Sequence, residues 1–146
     1  MKKVFYNSKL AKLLLFNDYS TITICAWVLT KYASLKQYVI NHECTHARQW
    51  TEVTILSGLI LWICLLIFDY SAWYMLIAPA VFYIWYLVEY LIRRFIGLFS
   101  SNDDKQKQAY ENVSFEQEAE RAELDNNYLE NSHYFAWLKF YLKKKK

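Results

Sequence analysis

The chain is poor in the residues that break helices and shape loops, with two Gly and one Pro in 146 positions. A loop-rich β protein needs more of both at its turns, so that class is excluded. Charge is missing over long stretches as well. No Asp, Glu, Lys, Arg or His occurs from Val53 to Phe68 or from Tyr70 to Val88, and neither Lys nor Arg stands between Arg48 and Arg93. Cysteine is too sparse for a disulfide scaffold: Cys25, Cys44 and Cys64 are odd in number, widely spaced and form no C-x-x-C pattern, so they read as small packing residues. A global basic excess is absent too. The 17 Lys and Arg are offset by 14 Asp and Glu, seven of which fall between Glu111 and Glu130, and this argues against nucleic acid as a partner.

What is present is apolar: 55% of the residues are hydrophobic and 19% aromatic, which excludes disorder. A membrane span needs about 20 apolar residues at about 1.5 Å of rise each. The second charge gap meets that length alone. The first meets it once its helix begins upstream and enters the bilayer through Trp50 to Glu52. Neither run carries the amphipathic alternation of a helix in a soluble domain. The expected fold is therefore a mainly α integral membrane protein built on a two-helix transmembrane hairpin that turns at Asp69 to Ser71. At the start, Leu10 to Phe16 is too short, and too soon interrupted by Asn17-Asp18, for the core of a cleaved signal peptide, so the N-terminus is expected to be retained.

Around the hairpin at 53–92 the chain divides further. Residues 1–34 form a small N-terminal β element, whose best strand is the β-branched run from Thr21 to Thr30. Residues 35–52 form a helix capped by Ser34. Residues 93–113 are expected as loop, polar from 100 to 112. A capping-box pattern, Ser114-Phe115-Glu116-Gln117, starts a helix at 114–131. The tail at 132–146 joins aromatics to the lysine cluster Lys143 to Lys146, a composition that suits an anionic membrane surface.

The chemistry gathers at His42-Glu43-Cys44-Thr45-His46, which holds two of the chain's three histidines. On a helix, residues four apart lie one turn along the same face, so both imidazoles can meet one metal ion. Glu43 lies beside that pair, out of line for a third ligand, where it can take a proton from an attacking water; zinc peptidases use H-E-x-x-H in this way. Catalytic zinc takes three protein ligands and keeps one position open. Gln49 and Trp50 are not usual zinc ligands, so the third is expected from the acidic helix beyond the hairpin. There Glu116 and Glu120 share a face at i, i+4, whereas Glu118 points away. Glu116 is the expected ligand and Glu118 the alternative; zinc content of Glu116→Ala and Glu118→Ala decides between them. Glu120 is expected to accept from the non-ligating nitrogen of one histidine. The transition-state stabiliser is open between Tyr110 and His133, the latter lying in an aromatic tail that also suits a purely interfacial role.

A two-pass hairpin returns the chain to the side it left, so the histidine helix and the glutamate helix face one compartment. His46 precedes Val53 by about 10 Å of helix, which sets the site at the membrane interface. Every Lys and Arg lies on that same side and the turn carries only Asp69. The positive-inside rule then places the site and both termini in the cytoplasm, in a multi-pass protein of the inner membrane. Glu89, inside the second run, reads either as an ion-pair partner of Arg93 or as a group that shapes the site through Arg48.

Three segments together carry a resemblance: Val39-Ile40-Asn41-His42-Glu43-Cys44-Thr45-His46-Ala47-Arg48-Gln49, then Trp85-Tyr86-Leu87-Val88-Glu89, then Ala109-Tyr110-Glu111-Asn112-Val113-Ser114-Phe115-Glu116-Gln117-Glu118-Ala119. Over roughly residues 20–125 the chain resembles a group of small bacterial membrane proteins regarded as zinc metallopeptidases. More distantly it is similar to the gluzincin domains of β-lactam-sensing antirepressor peptidases and to CAAX-processing peptidases. The resemblance implies Zn2+ as cofactor, with Glu116 as third ligand and Ala119 at the small position that follows it. Glu120 stands where the larger families carry Asp. It also implies that the strand before the active helix, through Ile22, Ile24 and Ala26, binds substrate backbone in extended form.

The expected activity is zinc-dependent hydrolysis of a peptide bond, in a membrane protein or membrane-attached peptide close to the bilayer surface, with Glu43 as general base. About a hundred residues remain outside the hairpin, too few for a deep enclosed cleft. Membrane lipid, a partner membrane protein or a second copy of the chain is expected to complete the substrate site. The rival expectation is a non-catalytic membrane sensor or assembly subunit in which zinc only clamps two helices. A third, a membrane-surface adaptor, needs no metal.

Overall fold

The computed structural model describes residues 4–16, 19–98 and 105–142. It is mostly helical, with two helices long and apolar enough to cross a membrane and a three-stranded sheet of order β1-β3-β2. The lysine cluster Lys143 to Lys146 lies outside the described residues.

The N-terminal lobe contains β1 (Val4–Phe5), α1 (Lys9–Leu14), β2 (Thr21–Ile24) and β3 (Trp27–Thr30). Ser8 caps α1 by accepting from Ala11 N at 3.3 Å. The strand expected from Thr21 to Thr30 is in fact an antiparallel hairpin, with Ile22 opposite Leu29 and Ile24 opposite Trp27. Ala26 therefore sits in the turn and not on the strand. The turn places Cys25 in the left-handed region (φ 55), a position usually given to Gly or Asn, so composition carried no sign of it. Alternation along β2 sends Ile22 and Ile24 to a small core with Ala11, Leu15 and Leu29. Thr21 and Thr23 take the other face.

Helix α2 (Gln37–Phe68) runs unbroken from that lobe through the first apolar run. Its N-cap is Lys36 with no side-chain hydrogen bond, so the expected cap at Ser34 does not form. Instead Gln37 Nε2 donates to Asn41 Oδ1 at 2.7 Å within the first turn. The helix ends at Asp69 in the left-handed region (φ 53), and a 3-10 segment (Ala72–Ile77) leads directly into α3 (Ala78–Leu98). Pro79 falls in the first turn of α3, where it removes no intrahelical donor. The hairpin closes through Ser57 Oγ donating to the Ala78 carbonyl at 3.2 Å and Trp50 Nε1 donating to the Pro79 carbonyl at 3.0 Å.

The region expected as loop is partly helical, because α3 continues to Leu98 and α4 spans Lys105–Glu111. The next helix is also shorter than expected: α5 covers Ser114–Glu123, then the chain turns before α6 (Tyr128–Asn131). The capping box is replaced by a longer-range device. Val113 is the N-cap, and Glu89 of α3 accepts from Ser114 N at 2.9 Å and from Ser114 Oγ at 2.7 Å. A carboxylate at the positive end of a helix is favourable. Arg93 lies 3.4 Å from Glu89, as expected, but the link to Arg48 is not made; Arg48 pairs with Glu118 at 2.7 Å. The described tail folds inward. Trp137 is buried against Phe115 (centroids 4.6 Å apart) in a core that also holds Val53, Phe82 and Val113. After it comes α7 (Lys139–Leu142), from which Tyr141 Oη donates to Glu89 Oε2 at 2.6 Å.

Candidate metal centre

Helix α5 packs antiparallel on the upper half of α2. Gln49 Nε2 donates to the Phe115 carbonyl at 3.0 Å at one end, and Asn41 Nδ2 donates to the Asp125 carbonyl at 3.3 Å at the other. Between these fastenings lie His42, His46 and Glu116, whose ligand atoms all fall within 4.8 Å of one another. The imidazole Nε2 atoms are 3.1 Å apart. Glu116 Oε1 is 3.3 Å from His46 Nε2, and Oε2 is 3.5 Å from His42 Nε2. Zn–N bonds of about 2.0–2.1 Å at tetrahedral angles would put two nitrogens about 3.3 Å apart, so the donor set fits a metal ion. Glu116 Oε2 is buried and has no hydrogen-bond partner among the described residues, as a carboxylate oxygen kept for a cation would be.

The groups behind the histidines fix which nitrogen faces the centre. His42 Nδ1 lies 2.7 Å from Glu123 Oε1; a carboxylate only accepts, so Nδ1 carries the proton. His46 Nδ1 lies 2.9 Å from Gln49 Oε1. The Gln49 amide nitrogen already donates to the Phe115 carbonyl and to Glu118 Oε2, so its oxygen must face His46 and Nδ1 is again the protonated nitrogen. Both Nε2 lone pairs are thereby aimed at the same point, the arrangement that metal-binding histidines require. Glu123 and Gln49 thus hold the place expected of Glu120. Glu123 is two turns beyond Glu116 on the same face, and antiparallel packing sets that second turn against His42, the histidine further from the Gln49 end. Gln49 is not a usual zinc ligand, yet its i, i+3 spacing from His46 is a sequence signal for this supporting role.

Glu118 has a different task. It is fully buried and accepts from Arg48 Nη2 at 2.7 Å, Gln49 Nε2 at 2.9 Å and Tyr128 Oη at 3.2 Å. It joins α2, α5 and α6 and points away from the histidines.

A cavity of about 510 Å³ opens beside the three-residue group, lined among others by Thr23, Glu43, Phe82, Tyr83 and Tyr110. Glu43 Oε2 accepts from Thr23 Oγ1 at 2.6 Å, which leaves its other oxygen to face the cavity contents. Because β2 is an edge strand of the sheet, one of its edges carries no neighbouring strand; Thr21 and Ile22 line the cavity with Thr23. Tyr86 Oη donates to Glu116 Oε1 at 2.6 Å, a partner that nothing in its local sequence announced. Burial and the charge of Glu116 both push the Tyr110 hydroxyl up, so it stays a proton donor. His133 is not brought to this site. It lines a separate surface hollow with Arg121 and Tyr128.

No family model, no curated protein and no solved structure matches the chain.

Proposed function

We propose that this protein is a membrane-embedded zinc metallopeptidase of gluzincin type that cleaves a membrane-associated protein or peptide on the cytoplasmic side of the inner membrane. The observation that carries the proposal is the convergence of His42, His46 and Glu116, from helices on either side of the hairpin, at a cavity that also holds Glu43 and an edge strand. His42 Nε2, His46 Nε2 and a Glu116 oxygen would hold the ion. Zinc held by such a set supplies Lewis acidity and makes water nucleophilic near neutral pH.

The remaining chemistry belongs to the chain. Glu43 accepts the proton of the attacking water on the carboxylate oxygen not engaged by Thr23 and passes it to the leaving amine nitrogen as the C–N bond breaks and the C–O bond forms. Thr23 keeps that carboxylate turned to the cavity. Substrate backbone adds beside β2 in extended form. Tyr110 donates to the carbonyl oxygen as negative charge develops on it. Tyr86 holds Glu116 in its ligating orientation.

Glu43→Gln tests the assignment. Zinc content should match that of wild type while turnover falls about 10²–10⁴-fold, the span that a positioned base supplies; unchanged turnover would refute the role. The clamp reading predicts instead that His42→Ala destabilises the fold and Glu43→Gln alters nothing. Gln49, Arg48 and Glu118 already fasten α2 to α5 without a metal, so the geometry favours the peptidase.

A further inference from the structure

We infer that the cleft lies at acyl-chain depth and opens sideways to lipid, between the β2–β3 hairpin and α3, so that its substrate is a membrane-inserted chain reached from the bilayer. The inference rests on the peptidase reading above and deepens it. Measured along α2 alone, His46 stands outside the charge-free run, which suggests a site in water. The hairpin as folded gives a different depth. From Val53 to Phe68 there is about 24 Å of helix, short of a hydrocarbon core of about 30 Å. Taken at this end of the helix, the missing length of about 6 Å reaches Gln49, whose side chain contacts His46 three residues further on.

Helix α3 makes the same point from the other side. Tyr86, bonded to Glu116, lies about 10 Å short of Arg93 along that helix. Leu87, Val88, Leu91 and Ile92 between them are each about half exposed. Apolar surface therefore continues past the metal centre before the first basic residues of α3, Arg93 and Arg94. The N-terminal lobe, which bears β2, exposes Leu13, Leu14, Phe16 and Trp27. Lys9 and Lys12 on α1 have aliphatic stems long enough to keep their charges at the headgroups while those apolar neighbours dip below. Leu15, Ile22 and Cys25 of the lobe and Phe82, Tyr83 and Tyr86 of α3 line the cavity together, so it lies between these two elements. Its outer lining includes Tyr19 and Tyr83, which are solvent-accessible aromatics, while His46 and Glu116 sit inside. Cys25 N donates to Tyr83 Oη at 2.7 Å and ties the hairpin tip to α3 at this mouth. An opening rimmed by aromatic and aliphatic groups with its polar groups recessed is continuous with the surface that the spanning helices present to lipid.

Accessibility at the mouth tests the depth without reading any cleavage. The full chain, with Cys44→Ala and Cys64→Ala, carries a nitroxide on native Cys25 in vesicles of phosphatidylcholine and phosphatidylglycerol. Collisions with lipid-soluble oxygen, relative to those with a water-soluble nickel chelate, should exceed by about tenfold the ratio at Asn127→Cys, in the exposed turn after α5. A probe at exposed Leu13→Cys gives the same readout where the label at Cys25 disturbs the turn. Nickel collisions at both sites as frequent as at Asn127→Cys would overturn the inference. With the zinc-loaded wild type, an apolar reporter peptide inserted in the vesicle should be cut faster than the same sequence shortened to a water-soluble length; equal or slower cutting would also overturn it. A lipid-facing mouth in a protein that takes up no zinc would leave the depth standing and sink the peptidase.

Discussion

The two halves of α2 follow opposite rules within one continuous helix. Its upper half buries polar side chains, among them Asn41, Thr45, Gln49 and Glu52, whereas its lower half exposes large apolar ones such as Leu59, Ile60, Trp62 and Leu66. Buried polar groups are costly unless paired, and each of these four has a partner: Asp125, the Asn41 carbonyl, Glu118 and the backbone of Phe135 respectively. Exposed apolar groups need the opposite environment, and the proposed bilayer supplies it. The lower half is thus specified by its solvent, the upper half by α5 and the tail that fold back over it.

Substitutions can break this contrast in graded fashion. The largest effect is expected from Glu118→Ala, which takes from the half-buried Arg48 its closest carboxylate, leaving it Ser132 and, at 3.5 Å, Glu52, and deprives Gln49 and Tyr128 of their buried acceptor; a loss of about 3 kcal/mol is expected in denaturant unfolding. Glu89→Ala removes the acceptor that holds the start of α5 and should cost about 1.5–3 kcal/mol. Its signature is faster hydrogen exchange at the Ser114 amide than elsewhere in α5. Glu123→Ala frees the outer nitrogen of His42 and should weaken zinc binding about 10–100-fold in a competitive chelator titration, with unfolding little changed. Glu116→Ala should lose zinc where Glu118→Ala retains it in whatever fraction stays folded. The smallest effect belongs to the lower half: Leu59→Ala, on the exposed face, should shift stability by no more than about 0.5 kcal/mol.

Legibility in the sequence follows the same division. The apolar hairpin could be read from runs without charge, since that property belongs to consecutive residues and needs no partner. The pair His42 and His46 could be read from helix spacing, and Glu116 from the face it shares with its neighbours. The depth of Glu118 and the choice of Glu123 over Glu120 could not, because both depend on how α5 is laid along α2. Cys25 and Ala26 make a two-residue turn with none of the residue types that usually mark one, so the sequence suggests a single strand where the chain forms a hairpin. Glu89 was legible as a costly residue in an apolar run, but the helix end that it holds lies 25 residues further along the chain.

The fastening of α5 has a mechanical consequence. The two imidazoles are borne by one limb of the hairpin, while the carboxylate that faces them is moored, through Glu89, to the other. Sliding of one limb against the other would widen or narrow the coordination triangle, and the bonds from Ser57 to the Ala78 carbonyl and from Trp50 to the Pro79 carbonyl are what resist it.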